Sequence, residues 1–506
     1  MDITLSAEKR AGTIALSLFG AAGIAIAAAM TFLYGDSGAV ATFAAFCFFL
    51  MLGALLISGE KISSREKFSL LAAFFIGFLL RYCCAQFFMP FYLENWTNFS
   101  DSRFYIDVAR LLVDHYPQNP VTSINNYNYI KPIGHPGFYI FAWLHFLIDG
   151  SPQLMSATNT FMSAITILLA FRITRRLFND KSEYRVAVAS AWITALFPML
   201  IFWSAPYIKA SLIMLICVFF IDQATRFLEG KLKGPMFWML ASIIVMSNLR
   251  IYMSAMMLAA MLTAAVALVF SDRKPEGYTA LAGAMLLAVF AFVALKPSLP
   301  FVGYIDFETI AKKGLVAFVL DNRSGLSGDA ASIASTSPAS LLQMIPYGVP
   351  RAIMAPLFIF LEGDPHKYRV ITWLAPTWHI ILPFSLFGII ELIRKKTLLS
   401  SPVIIFVAAT SIFLALVFAG RPTRHMVMLY PLFCVFAAAG FAQFKKYLPY
   451  AFAFYALLAG VTMQYDIGGL KSVMPIYALG LLGPAAYVFF LVHARYASMR
   501  NRGARR

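Results

Sequence analysis

NWTNFSDSRFYIDVARLLVDHYPQNPVTSINNYNYIKPIGHPG, Asn95–Gly137, is polar and aromatic and stands between two strongly apolar regions of a 506-residue chain. The chain is 60% hydrophobic, so the regions on either side belong in lipid, whereas this run cannot enter it. Each unpaired backbone group in a bilayer core costs several kcal/mol. The stretch therefore belongs in water or against a wet cavity. That contrast decides the fold class: an all-α polytopic membrane protein rather than a string of soluble domains.

On the N-terminal side of this stretch lie three apolar runs, near Gly12–Tyr34, Ala39–Ser58 and Phe68–Pro90. The first is too long for a signal-peptide core and lacks a small-residue cleavage site, so it reads as a retained helix. Lys9 and Arg10, and then Lys61, Arg65 and Lys67, mark the cytoplasmic side by the positive-inside rule, and Asn95–Gly137 faces outward. On the C-terminal side, His135–Gly150 is apolar but short for a span. Laying it along the outer interface keeps Arg172, Arg175, Arg176, Lys181 and Arg185 inside. Further spans then fall near Pro152–Leu177, Val186–Pro206, Ile208–Leu228, Pro235–Leu249, Ile251–Phe270, Tyr278–Leu295, Pro376–Ile393, Pro402–Gly420, Met426–Phe444, Tyr447–Gln464 and Val473–Ala494.

The expectation is about 14 transmembrane helices with both termini cytoplasmic. Residues 1–67 hold two additional N-terminal helices. Residues 68–444 form a catalytic core with outer loops at 91–152 and 296–373, and residues 445–506 hold the last helices and a basic tail. The second outer loop is rich in Pro, Gly and Ser and is the expected mobile element. The net charge of +17 sits in short clusters between apolar runs, a membrane pattern that argues against a nucleic-acid partner. Cys47, Cys83, Cys84, Cys217 and Cys434 all lie in apolar runs without metal-ligand spacing, so neither a disulfide framework nor a metal site is expected.

Asp101 opens an amphipathic segment. Tyr105, Val108, Ala109 and Leu112 share one stripe, while Arg103, Asp107, Arg110 and Asp114 form ion pairs on the other face, as in an interfacial helix. Ser100, Asp101 and Ser102 suit a helix cap, and Asp101 equally suits a catalytic carboxylate. Cationic residues recur at the outer ends of spans: Arg421, Arg424 and His425 between two spans, Lys209 after the Pro206 turn, Arg250 at a hairpin tip, and Lys131 and His135 in the first loop. Arg81 lies within the third span. Such residues either snorkel to anchor helix ends or face a cavity. Asp321 and Arg323 in the second loop are candidate substrate contacts or parts of a solvated turn.

DSRFYIDVAR resembles the first-loop motif of the GT-C superfamily of membrane glycosyltransferases, especially lipid A aminoarabinose transferases and protein O-mannosyltransferases. Asp101, Tyr105, Ala109 and Arg110 match, and Ser102 stands where the family usually has Glu. The resemblance continues through KPIGHPGFYIFAWLHFLIDGSPQ, the Arg175–Lys181 turn and RPTRHMVMLYP, and covers about Phe68–Phe444. It implies a transferase at the bacterial inner membrane that moves a sugar from a polyprenyl-phosphate donor to a lipid, glycan or protein acceptor on the extracytoplasmic face, with inversion. A glycosyl phosphate carries its own good leaving group, so the chemistry needs cations rather than a general acid. One carboxylate suffices as base.

On this reading Asp101 is the base, and Arg421, Arg424, His425, Lys209, Arg250 and Lys131 hold the phosphate. Tyr105, His135, Arg81, Asp321 and Arg323 touch substrate. No cofactor is implied beyond the lipid-linked donor, and one carboxylate where relatives carry two leaves a metal without a second acidic ligand. The alternatives are an O-antigen polymerase or ligase, whose key residues typically lie in a large late loop, and a lipid-linked oligosaccharide flippase or transporter. The last would show internal repeats and broken helices near the midplane, and the sequence contains no convincing repeat.

Overall fold

Backbone in lipid must satisfy its own hydrogen bonds, and among the described residues this chain does so with helices and no strand. The computed structural model describes residues 20–34, 38–95, 152–178, 184–230, 233–247, 249–269, 283, 285, 365–394, 401–418, 426–443, 446 and 448–451. The helices are α1 (Gly20–Tyr34), α2 (Ala39–Ser58), α3 (Ser64–Asn95), α4 (Pro152–Leu177), α5 (Tyr184–Leu196) and α6 (Pro198–Ser204). There follow α7 (Ala210–Leu228), α8 (Lys233–Ser247), α9 (Ile251–Val269), α10 (Pro365–Arg394), α11 (Ser401–Phe418), a 3₁₀ turn at Val427–Leu429 and α12 (Tyr430–Ala442).

Five of these segments are long and apolar enough to cross a membrane: Ala39–Ser58, Ser64–Phe87, Gln153–Leu177, Ala210–Leu228 and Thr377–Arg394. The pair α5 and α6 makes a sixth if taken as one span. That pair corrects the expectation of a single continuous helix over Val186–Pro206: α5 and α6 meet at an angle of 49°. The cause is Pro198, which has no N–H for the carbonyl of Thr194 and whose ring crowds the preceding turn. Leu200 and Ile201 instead donate to Phe197 O, at 3.0 and 3.1 Å.

Two other boundaries differ from the hydropathy reading. Helix α10 begins at Pro365, inside the expected second loop of 296–373, because proline suits the first position of a helix. Helix α3 begins at Ser64, within a basic cluster, because Ser63 and Glu66 form a capping box. Ser63 N and Oγ donate to Glu66 Oε2 at 2.9 and 2.7 Å, and Glu66 N donates back to Ser63 Oγ at 3.3 Å. The expected spans at Tyr278–Leu295, Tyr447–Gln464 and Val473–Ala494, and the interfacial segments at 103–114 and His135–Gly150, lie largely or wholly outside the described residues.

Side-chain contacts give the helices their directions. Arg81 on α3 reaches Ser163 on α4, and Gly77, four residues earlier on α3, lies against Ile167, four residues later on α4, so α3 and α4 are antiparallel neighbours. Helix α3 therefore ends, and α4 begins, at the same end of the bundle. Helices α4 and α7 run parallel, joined at their C-terminal ends by Arg176 and Asp222. Helices α10 and α12 also run parallel, with Trp378, midway along α10, against Tyr430 at the start of α12, and Lys446 Nζ, just past α12, on Glu391 Oε1 near the end of α10 at 2.6 Å.

The charged ends gather on one side, called here the basic end. Arg172 pairs with Glu60, and Arg176 pairs with buried Asp222 at 2.6 Å and Glu229 at 3.6 Å. Lys67 Nζ donates to Ser58 O at 2.7 Å. The core divides into two clusters. The larger is built on α4–α7, α9, α10 and α12, and the smaller packs Ala27 of α1 and Phe46 of α2 onto Phe74, Phe78 and Tyr82 of α3. Small residues set the closest approaches, as lipid-embedded helices require. A side chain at Gly388 or Gly440 would collide with the facing backbone carbonyl of Phe436 or Phe384, respectively.

Candidate functional site

The end of the bundle opposite the basic end is where the sequence motifs attach. Asn95, the last residue of α3, stands six positions before Asp101. Pro152 opens α4 directly after the first outer stretch, and Met426, fully buried, follows His425 immediately. Asp101, Tyr105, Lys131, His135, Asp321, Arg323, Arg421, Arg424 and His425 themselves lie outside the described residues. Lys209, Arg250 and Arg81 lie within them.

Lys209 stands at the head of α7, where its carbonyl accepts the first helical bond from Ile213 N at 3.0 Å. Only 6% of its surface is exposed, which is rare for a lysine. The turn that delivers it, residues 205–209, is held from α4. Ser156 Oγ donates to Ala205 O at 2.6 Å, and Asn159 Nδ2 donates to Ser204 O and Pro206 O at 3.2 and 2.8 Å. The depth of Lys209 follows from helix register. It precedes Asp222 by thirteen residues, as Ser163 precedes Arg176, so on these parallel helices Lys209 lies level with Ser163. Helix α4 continues another eleven residues beyond that level to Pro152, roughly 16 Å at 1.5 Å per residue. Lys209 is therefore recessed below the rim.

The 3₁₀ turn Val427–Leu429 packs against α6 and α7, so the chain leaving His425 enters the bundle beside the helix that Lys209 heads. Arg250 is half-buried at the start of α9, with its carbonyl accepting from Met253 N at 3.0 Å, and α9 packs against α7. Arg250 and Lys209 thus flank the same helix.

Arg81 is different. It is 0% exposed, and its donors are committed within the protein: Nε to Ser163 Oγ at 3.0 Å, Nη1 to Gly77 O and Ala195 O at 2.8 Å each, and Nη2 to Thr194 O at 2.7 Å. This corrects its reading as a substrate contact. The guanidinium joins α3, α4 and α5 and presents no open face to a ligand.

Several polar atoms near this end are buried and make no hydrogen bond to protein: both amide atoms of Gln86, Oδ1 of Asn159, the hydroxyl of Ser211 and that of Tyr430. All four residues lie in the halves of their helices away from the basic end. Such atoms are costly in an apolar setting unless water or a ligand meets them. None of these residues, nor Ser156, was picked out from sequence. The available signal was the polar stripe Ser156, Asn159, Thr160 and Ser163 at helical spacing within an apolar run. Among the described residues no group of three or more His, Cys, Asp or Glu side chains is placed to hold a metal ion.

These features define a helical membrane protein with a recessed, lysine-headed polar region at one end of its bundle. No protein-family model matches the chain, and no curated protein sequence does so either. In fold it is similar to the apo oligosaccharyltransferase of Archaeoglobus fulgidus, at 14% identity and a TM-score of 0.45, over 83% of this chain and 57% of that one. The same enzyme with zinc and sulfate gives 15% identity and a TM-score of 0.44, over 81% and 52%. AglB from that organism, with an inhibitory peptide and a dolichol-phosphate, gives 14% and 0.43, over 83% and 56%. These neighbours belong to the GT-C superfamily. The chain spans a little over half their length, and likeness at this level assigns neither activity nor substrate.

Proposed function

We propose that the protein is an integral-membrane glycosyltransferase that takes a sugar from a polyprenyl-phosphate carrier and gives it to an acceptor on the extracytoplasmic face of the bacterial inner membrane. Asp101 removes the proton from the acceptor hydroxyl. The hydroxyl oxygen attacks the anomeric carbon from the face opposite the leaving group, the bond from that carbon to the phosphate oxygen breaks, and the phosphate departs on its lipid. Lys209, Arg250, Lys131, Arg421, Arg424 and His425 neutralise the departing charge, and Tyr105, His135, Asp321 and Arg323 contact the two sugars or the acceptor. The frame is the expected one of fourteen crossings with cytoplasmic termini, and the acceptor is a lipid, a glycan or a protein.

The observation that carries this reading is the Asp101, Tyr105, Ala109 and Arg110 motif, six residues beyond the end of α3, at the end of the bundle where a buried lysine heads a recessed helix. Cations inside a membrane protein ordinarily face a substrate path, and a helix start favours an anion. Asp101→Asn tests it. Asparagine caps helices about as well as aspartate, so a capping role predicts almost no change, whereas loss of the base lowers turnover by about 10²–10⁴-fold with donor binding retained. An active Asp101→Asn enzyme sinks the assignment.

The break at Pro198 gives a second reading some footing, because discontinuous helices are a feature of transporters. A lipid-linked oligosaccharide flippase would move labelled donor across a vesicle membrane without transferring its sugar, and the Asp101→Asn variant would do so as fast as the native protein.

A further inference from the structure

The broken span and the buried arginine are one device. Pro198 leaves Thr194 O without its helical donor, and Arg81 Nη2 supplies one from α3 at 2.7 Å. The next carbonyl, Ala195 O, receives Arg81 Nη1 at 2.8 Å, and Ser163 of α4 holds Nε. The reach depends on Gly77, one turn earlier on α3. A Cβ there would lie 2.9 Å from Ala195 Cβ and 2.6 Å from Ile167 Cδ1, so only glycine lets α3 come this close to the end of α5. Beyond the break α6 leaves at 49°, the carbonyls of Ser204, Ala205 and Pro206 at and just past its end are taken by Asn159 and Ser156, and five residues after Ser204 the chain turns into α7 behind Lys209. Two fixed points on α3 and α4 thus hold a bend that lipid would otherwise penalise through its unpaired carbonyls.

We propose that Arg81 is a positioning residue for donor binding: by holding Thr194 O and Ala195 O at the Pro198 break, it sets the direction of α6 and hence the depth at which the 205–209 turn places Lys209. This rests on the reading of Lys209 as a ligand of the donor phosphate. A guanidinium suits the task because its planar fork reaches three carbonyls and a hydroxyl at once, one acceptor more than an ammonium has protons. Helix register agrees, since Lys209 lies level with Ser163, the residue that anchors Arg81 Nε. Thr194 O and Ala195 O are met across the break by Arg81.

The test uses the full chain in lipid nanodiscs, with undecaprenyl monophosphate as the probe and thermal unfolding measured alongside. Pro198→Ala restores an N–H to Thr194 O, so the span can straighten without loss of stability, and probe binding should weaken about tenfold or more, as for the loss of a charge-assisted bond. Lys209→Ala should weaken binding to a similar extent. In the combined variant the two losses should not add, because Pro198→Ala has already removed Lys209 from the site. Arg81→Gln should lower both stability and binding, and adding Pro198→Ala to it should recover stability while binding stays weak. Normal binding by Pro198→Ala, additive losses with Lys209→Ala, or recovery of binding along with stability would each overturn the proposal. If the native protein binds the probe but Lys209→Ala binds equally well, the assignment of Lys209 fails and this proposal with it. If the native protein ignores the probe, the donor reading itself has failed.

Discussion

The two ends of this helical bundle solve the same problem by different means. At the basic end, cations meet carboxylates: Arg172 with Glu60, Arg176 with Asp222 and Glu229, and Lys446 and Arg394 with Glu391. Gln223 also donates to the second oxygen of Asp222 at 2.9 Å, so that buried carboxylate is satisfied on both sides. At the opposite end Arg81 meets only neutral oxygens, backbone carbonyls carry the turn before Lys209, and several buried polar atoms have no protein partner. A fully paired network rigidifies, whereas an incompletely paired one keeps capacity for a ligand. The first end is held by its own charges, whereas the second leaves buried polar atoms without a protein partner, as the proposed donor site requires.

The largest effect on stability expected from this contrast is at the basic end. Asp222→Ala strips Arg176 of its closest carboxylate and should cost about 3–5 kcal/mol, as breaking a buried pair does. Thermal unfolding would register it, with the KM for donor unchanged. A normal unfolding temperature would show that Glu229 alone suffices. Next comes Asn159→Ala at the other end. Losing two bonds to Ser204 O and Pro206 O should cost about 1–3 kcal/mol and, unlike Asp222→Ala, should raise the KM for donor. A loss of stability with unaltered KM would make both ends equivalent.

Smaller and opposite in sign is Gln86→Leu. Removing two buried, unpartnered amide atoms should raise stability by about 1–2 kcal/mol while lowering turnover. A fall in unfolding temperature would mean that the folded protein already satisfies that amide, and the distinction between the ends would lose one of its supports. Smallest is Glu60→Gln. Its pair with Arg172 is partly exposed, so the change should stay below about 1 kcal/mol and shrink further in high salt. A larger, salt-insensitive loss would place that pair with the buried network of Asp222.

Much of the architecture was legible in the residues. Ala39–Ser58 and Pro152–Leu177 emerge with the bounds that hydropathy sets, because each apolar run is closed by charge or proline and lipid leaves the enclosed backbone no alternative to a helix. The break in Val186–Pro206 was not read, although Pro198 was visible, because hydropathy sums over a run and is blind to where a hydrogen bond is lost. Asp101 was singled out by its place at the head of an amphipathic segment and by its motif, and Arg421, Arg424 and His425 by their clustering between two apolar runs. Lys209 was expected at the start of a helix and is found there.

Sequence by itself determined that the chain is helical and membrane-embedded and where several of its apolar helices run, because these depend on local composition and on the cost of placing it in lipid. Tertiary structure alone decided what Arg81 does and how deep Lys209 lies. The partners of Arg81 on α5 are 113 and 114 residues away, and their carbonyls look like any others until a proline and a glycine bring them within reach. The depth of Lys209 is a matter of register between two parallel helices, fixed by one ion pair at the far end of the bundle. An arginine in an apolar run announces that its charge must be met, and only the packing of α3 against α4 and α5 determines that carbonyls, rather than a ligand, meet it.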